Sequence, residues 1–509
     1  MNPEHPCTAA EGHLKLRRLG IDTHQELVVY MRADCAVCRS EGFTAQSRVQ
    51  IAAGGRTVLA TLNVVHGDWL SHGDAGLSES AWRLLGAQEG QHASFSHPRP
   101  VDSLSAVRGK VFGHALSDES MTEIVRDIVA GRYADVDLAA FITACADDHL
   151  SSAETISLTR AMVAVGRRLS WPRTLVVDKH CVGGLPGNRT TPVVVAIAAA
   201  NGLCMPKTSS RAITSPAGTA DAMETLAPVD LSLEQMRAVV EKEGGCIVWG
   251  GSVDLSPADE ILIRVERALD IDSEGQLVAS VLSKKVAAGS THVVLDIPVG
   301  PTAKVRSEQA AAKLTALFQE VARATGLAVR AELTDGTQPV GRGIGPALEA
   351  RDVLAVLRQE ANAPKDLRDR SLRLAGAVLE IAAVSRDGEG LAAATRTLES
   401  GEAWRKFAAI CQAQGGMREP ALAPHRQPLI ARRKGLLSAA DNRRLARIAK
   451  LAGAPRAPSA GVQLHVRVGD TVDIGQPLLT VHAESTGELA YAMDYVGRNN
   501  VFTIVEERV

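Results

Sequence analysis

The sequence predicts a multidomain α/β protein. A small helical domain and an α/β domain with a mostly parallel sheet are expected, with a β-rich N-terminal domain before them and a C-terminal α+β domain after. Three observations carry this. Only 3% of the 509 residues are aromatic while 45% are hydrophobic, so the cores are Ala, Val, Leu and Ile, a composition that suits β-branched strands under small-residue helices. From Thr174 a short apolar run, a Gly-rich loop and an apolar helix follow in turn, and later strand candidates alternate with helical segments; that is the order of a parallel sheet. The tail alternates apolar and polar residues with the period of a half-buried strand.

Taken in order, Glu26–Arg32, Ala45–Ala52 and Thr57–Val64 read as short strands of a unit covering residues 1–100. A Pro-bearing linker starts at Ser96. Residues 101–170 read as the helical domain, completed by about 260–287: Ile124, Val125, Ile128 and Val129 recur at helical spacing, Gly131 fits a stop, and Val136–Ala144 and Ile156–Val165 continue the pattern. Residues 171–420 form the α/β domain, with Leu175–Val177, Cys246–Trp249 and Val293–Ile297 as strands and Val193–Ala200 and Val353–Val384 as helical stretches. Ala421–Pro428 reads as a linker. Residues 429–509 form the C-terminal domain, where Val462, Leu464, Val466 and Val468 alternate before a turn at Gly469-Asp470.

Several function classes are disfavoured. A net charge of −2 argues against nucleic acid as a partner. The longest apolar run, Val193–Ala200, is far short of the ~20 residues that span a bilayer, and the first twenty residues hold no apolar signal core; no membrane partner and a cytoplasmic location are expected. The eight cysteines are scattered and read as reduced thiols. Cys35 and Cys38 form a lone CxxC without the second pair that a zinc site wants, so packed thiols and no metal are expected.

Three segments carry chemistry. In DKHCVGGLPGNRTTP, Asp178–Pro192, glycines 183, 184 and 187 let backbone N–H groups approach a ligand. The following helix N-terminus favours an anion. Lys179 adds a full charge, and Thr190 and Thr191 add hydroxyls. An ordinary βα turn is the bland alternative for this loop alone. In KTSSRAITSPAGTADAMETL, Lys207–Leu226, Ser209, Ser210, Thr214, Ser215 and Thr219 surround Arg211 and Gly218, a second oxyanion cradle. Third, Ser280 and Lys284 lie four apart and share a helix face, where a hydroxyl and an ammonium can grip a heterocycle edge; a solvated face is the alternative.

Together these segments resemble the thymidine/AMP phosphorylase family of pentosyltransferases. DKHCVGG is similar to its phosphate loop, SSRAITSPAGTAD to its second loop, SPADE with VASVLSKK to its base-binding helix, and AGVQLHVRVGDTVDIGQPLLTVHAE to its C-terminal domain. The resemblance covers nearly the whole chain and is nearest to a long branch with an extra N-terminal domain. It implies that Lys179, Thr191, Ser209 and Thr219 bind the attacking phosphate, that His180 lies by base and ribose, and that Ser280 and Lys284 contact the base. It also implies contacts to a nucleoside or nucleotide from Gly184, from Ser210, Arg211, Ala212, Ile213, Thr214 and Ser215, and from Lys304, with Asp272 as proton donor to the leaving base. An ion pair with Arg267 is the alternative for Asp272.

The reaction so implied is thymidine plus phosphate giving thymine and 2-deoxyribose 1-phosphate, with a nucleoside 5′-monophosphate phosphorylase as the alternative. No cofactor is implied, since phosphate is a co-substrate. A homodimer or higher homo-oligomer is expected. Cys181 stands where the short-branch enzymes have a hydroxyl residue, and their tyrosine–arginine pair is not reproduced. An anthranilate-type phosphoribosyltransferase shares the expected fold; a non-enzymatic regulator is the rival from another class. The C-terminal segment also resembles lipoyl and biotinyl carriers, but no lysine lies between Ala460 and Val509.

Overall fold

The computed structural model describes residues 13–23, 26–212, 215–253, 255–269, 271 and 273–506. It divides after Ala144 into two compact units. In the first, β1 (His13–Arg18), β2 (Val28–Arg32), β3 (Arg48–Ala53), β4 (Arg56–Val65), β5 (Asp74–Leu77) and β6 (His92–Ser96) close into a barrel in the order β1-β5-β2-β4-β3-β6. Leu14 and Leu16, Val29 and Met31, and Val49 and Ile51 fill its interior at every second position, as strand geometry requires. The three expected strands are β2, β3 and β4. The other three escaped a reading by β-propensity, because β5 is only Asp-Ala-Gly-Leu and β6 is His-Ala-Ser-Phe-Ser. Helices Ser103–Val111, Asp118–Val129 and Asp135–Ala144 follow, with Ile124, Val125 and Ile128 buried.

The second unit is built on parallel strands. β7 (Val177–Cys181), β8 (Met205–Ser209), β9 (Gly245–Trp249), β10 (His292–Val299) and β11 (Ala328–Asp335) pair in two groups, β11-β10-β7 and β8-β9. A parallel bridge from Val176 to Cys204 joins the groups, so the spatial order is β11-β10-β7-β8-β9. Val193–Ala199 of the helix Thr191–Ala200 are all buried among helices Pro346–Leu357, Lys365–Ile381, Gly390–Glu399 and Glu402–Ala413. The opposite face of β10 packs on helices Glu274–Ala287 and Glu308–Thr325 through Val278, Leu282, Leu314 and Phe318.

Three expectations about elements are corrected. β7 is not the apolar run Leu175–Val177 but begins at Val177 and continues through Asp178, Lys179 and His180 to Cys181; ion pairs allow the charged residues to be buried there. The stretch Val353–Val384 is two helices: the first ends at Leu357, followed by Gln359 in the left-handed region at φ 56, and the second starts at Lys365 after Pro364. Ala421–Pro428 contains the start of the strand His425–Ile430, which pairs with Pro477–Ala483. In the tail, Gly461–Leu464 forms the expected strand but stops there, and it pairs with Gly343–Ile344 of the α/β region.

Candidate active site

The strand order places a topological switch point at β7: chain progress runs β7-β8-β9 to one side and β10-β11 to the other. Ligands of open parallel sheets bind outside the strand C-termini at such a point. The loop after β7 opens there. Gly184 has φ +80, and a Cβ on it would lie 2.4 Å from the Lys304 backbone nitrogen in the loop after β10. Two expected ligand residues from segments far apart in sequence are thus brought together.

Buried charge supports this loop. Lys179 is 1% exposed and donates to Thr190 Oγ1 at 2.7 Å, with Asp296 Oδ2 at 3.5 Å. Asp296, fully buried, also accepts from Thr334 at 2.6 Å and from Asn188 at 3.0 Å. On the other face of β7, Asp178 pairs with Lys207 at 3.3 Å and Lys285 at 2.8 Å. Burial pushes Lys207 down to about 7, against the pull of Asp178. His180, half-buried, is held well below its usual range by burial first and then by Lys285, Lys207, Lys284 and Lys179. Its imidazole is therefore neutral near pH 7. Burial also pushes the Cys181 thiol up to about 12, so it stays protonated, and its sulfur accepts from Asn188 at 3.3 Å.

The second loop follows β8, the neighbour of β7. Ser209 ends that strand, and its buried hydroxyl has no hydrogen-bond partner among the described residues. An orphaned buried hydroxyl costs free energy unless a ligand satisfies it. Asp221 shapes the loop by accepting from the Ala212 and Gly218 N–H groups at 2.6 and 2.8 Å. A side chain at Gly218 would strike Ser210 O at 2.4 Å, so only glycine lets the loop fold on itself. Thr219 opens the helix Thr219–Glu224, and Ser215 donates to Ala217 O at 3.0 Å. Arg211 pairs with Glu224 and lies over the Trp249 ring, 5.0 Å from its centroid. Arg189 reaches across from the first loop to Thr219 Oγ1 at 2.6 Å and to Ala217 O at 3.0 Å.

The third segment lies on the helix Glu274–Ala287, inserted between β9 and β10. Lys284 Nζ donates to Ser280 Oγ at 3.1 Å and to Asp259 Oδ2 at 2.6 Å. Ser280 and Lys284 therefore share one helix face, with Asp259 of SPADE as the counter-charge of the ammonium. Asp272, Ile213 and Thr214 lie outside the described residues. Sequence reasoning did not single out Asp296, Lys207, Lys285, Asp259, Arg189 or Glu349; charged residues inside apolar runs, such as Asp296 in VVLDIPV, were the available signal. Cys35 and Cys38 are buried in the barrel core. Among the described residues no group of three or more His, Cys, Asp and Glu could hold a metal ion.

A switch-point anion cradle beside a hydroxyl–ammonium helix is what a glycosyl-transferring enzyme needs to hold two halves of a substrate. Residues 173–404 match the glycosyl transferase family a/b domain, 104–166 its helical bundle domain, and 436–502 the pyrimidine nucleoside phosphorylase C-terminal domain. The chain belongs to this glycosyl transferase family, in its pyrimidine nucleoside phosphorylase group, and is a glycosyltransferase.

Similar proteins include a "Putative thymidine phosphorylase" of Polaromonas sp. (strain JS666 / ATCC BAA-500), 64% identical over 97% of each chain. A "Putative thymidine phosphorylase 2" of Acidovorax sp. (strain JS42) is 63% identical over 98% of this chain and 97% of its own. One from Hahella chejuensis (strain KCTC 2396) is 62% identical over 95% and 96%. Among solved structures, anthranilate phosphoribosyltransferase from Thermus thermophilus is 22% identical, has a TM-score of 0.51, and covers 61% of this chain and 99% of its own; it shares the fold. No helix among the described residues is long and apolar enough to cross a membrane.

Proposed function

We propose that this glycosyltransferase catalyses phosphorolysis of thymidine to thymine and 2-deoxyribose 1-phosphate. The observation that carries the reading is the Ser209 hydroxyl at the end of β8, buried and without a hydrogen-bond partner among the described residues, beside the strand that bears the buried cation Lys179; an oxyanion would satisfy the hydroxyl. The names of the relatives from Polaromonas and Acidovorax support thymidine as the substrate. Lys179, Thr191, Ser209 and Thr219 hold phosphate in line with C1′. Ser280 and Lys284 hold the base, with neutral His180 beside base and ribose.

A phosphate oxygen forms the new bond to C1′ as the C1′–N1 bond breaks, and its electron pair leaves with the base. Positioning supplies most of the acceleration. The Lys284 ammonium stabilises charge developing on the pyrimidine. A neutral His180 donates a hydrogen bond there rather than a full proton. Asp272 remains the proton donor for a base that needs one. The enzyme is cytoplasmic and works as a homodimer or higher homo-oligomer.

A second reading is favoured by the close approach of Gly184 and Lys304. It brings the Lys304 backbone against the phosphate loop, and a lysine borne there suits a 5′-phosphate, which supports a nucleoside 5′-monophosphate phosphorylase. Phosphate-dependent release of free base from thymidine and uridine, compared with AMP, CMP and UMP, decides between them. Release from thymidine supports the first reading; release mainly from the monophosphates replaces it with the second; release from none overturns both.

A further inference from the structure

We propose that Arg189 is a positioning residue that presets the Thr219 hydroxyl as a hydrogen-bond donor to phosphate, with Glu349 as its anchor. The assignment rests on the reading that Thr219 binds phosphate. A guanidinium carries donors only. Because Arg189 Nη1 donates to Thr219 Oγ1 at 2.6 Å, the threonine oxygen acts as acceptor there and its own proton is directed elsewhere.

The guanidinium is fixed on three sides. Nη2 donates to Ala217 O at 3.0 Å, tying the second loop to the first. Nε donates to Glu349 Oε2 at 2.8 Å, with Nη2 2.6 Å from the same oxygen. Glu349 is 1% exposed, and its other oxygen accepts the Gly345 N–H at 3.1 Å, at the start of the helix Pro346–Leu357. With this carboxylate against it, Arg189 contributes orientation to the site more than net charge. The first loop uses the same device: carboxylate Asp296, buried cation Lys179, hydroxyl of Thr190 at 2.7 Å. Two anchored cations thus each hold one threonine hydroxyl, Lys179 that of Thr190 and Arg189 that of Thr219.

The test is calorimetric titration of inorganic phosphate into the full-length protein, with phosphorolysis kinetics alongside, for wild type, Arg189→Met, Thr219→Val and the double variant. One charge-assisted hydrogen bond corresponds to a loss of about 10- to 100-fold in phosphate affinity. Each single variant is expected to show that loss in phosphate Kd and KM, with nucleoside KM nearly unchanged. The double variant should be no weaker than Thr219→Val alone, because the arginine acts through the hydroxyl. Arg189→Lys, which keeps a donor, should recover part of the loss. If Arg189→Met fails to fold with Glu349 left bare, Arg189→Met combined with Glu349→Gln removes that charge and carries the same expectation. Additive losses in the double variant, or an unchanged phosphate Kd in a folded Arg189 variant of a phosphate-binding wild type, overturn this assignment alone. A wild type that binds no phosphate overturns the functional reading and this assignment with it.

Discussion

Gly184 and Lys304 approach so closely that no side chain fits between them: a Cβ on Gly184 would sit 2.4 Å from the Lys304 nitrogen. The contact joins the loop after the first strand of the sheet to the loop after the fourth. Its geometry also demands φ +80 at Gly184, which L-residues adopt at a cost of about 1–3 kcal/mol. Gly184→Ala is therefore expected to displace both loops and lower kcat/KM by about 100-fold or more, as a misplacement of about 1 Å does. The melting temperature should fall by only a few degrees. Steady-state kinetics with a thermal melt checks the pair of outcomes.

Lys284, proposed to contact the base, is also one half of a largely buried ion pair. Its partner Asp259 has a side chain only 4% exposed. Lys284→Met leaves that carboxylate unpaired, at a cost of about 3–5 kcal/mol. The double variant Lys284→Met, Asp259→Asn is expected to regain most of the stability while base release stays at the level of the single variant. Recovery of activity along with stability would show that Lys284 matters only for folding.

Asp296 is the buried anchor of Lys179, Asn188 and Thr334. Asp296→Ala strands the Lys179 charge in the interior, so unfolding free energy is expected to drop by about 3–5 kcal/mol. Phosphate KM should rise with it, because the loop loses its fixed base. Urea denaturation and phosphate saturation curves on the same preparation test both.

The acid limb of stability has a specific contributor. His482 is 3% exposed, neither ring nitrogen has a hydrogen-bond partner among the described residues, and burial, with Arg426, His465 and Arg351 adding to it, lowers its pKa from 6.5 to about 4. The folded state thus prefers the neutral ring. Its contribution to stability is fully present above pH 6.5 and is lost as pH falls from 6.5 toward 4, by about 3 kcal/mol. His482→Leu is expected to flatten that part of the curve, read as the difference in unfolding free energy between pH 7.5 and 4.5 in the two proteins.

What the sequence made legible were features that local rules govern. The Gly-rich turn after β7, the buried helix Thr191–Ala200 and the Ser280–Lys284 face each depend on residues within a few positions of one another. Asp296, Arg189 and Glu349 were not legible, because their partners lie 108, 30 and 160 positions away, as Asn188–Asp296, Arg189–Thr219 and Arg189–Glu349 show. A charge inside an apolar strand signals only that some partner exists. The extent of β7 was misjudged for the same reason: Asp178 and Lys179 look like loop residues until Lys207, Lys285 and Asp296 surround them. The barrel was half legible, since β5 and β6 owe their strand state to neighbours rather than to their own composition.

The helix bearing Ser280 and Lys284 lies in the excursion that carries the chain from β9 back across the sheet to β10. Lys285 of that helix is tied to buried Asp178 of β7, but the turns after β7 and β8 are themselves built from other stretches of the chain. On the proposed reading, the groups that recognise the leaving base and the groups that hold phosphate thus sit on separate stretches of chain, so the two can diverge in sequence largely apart.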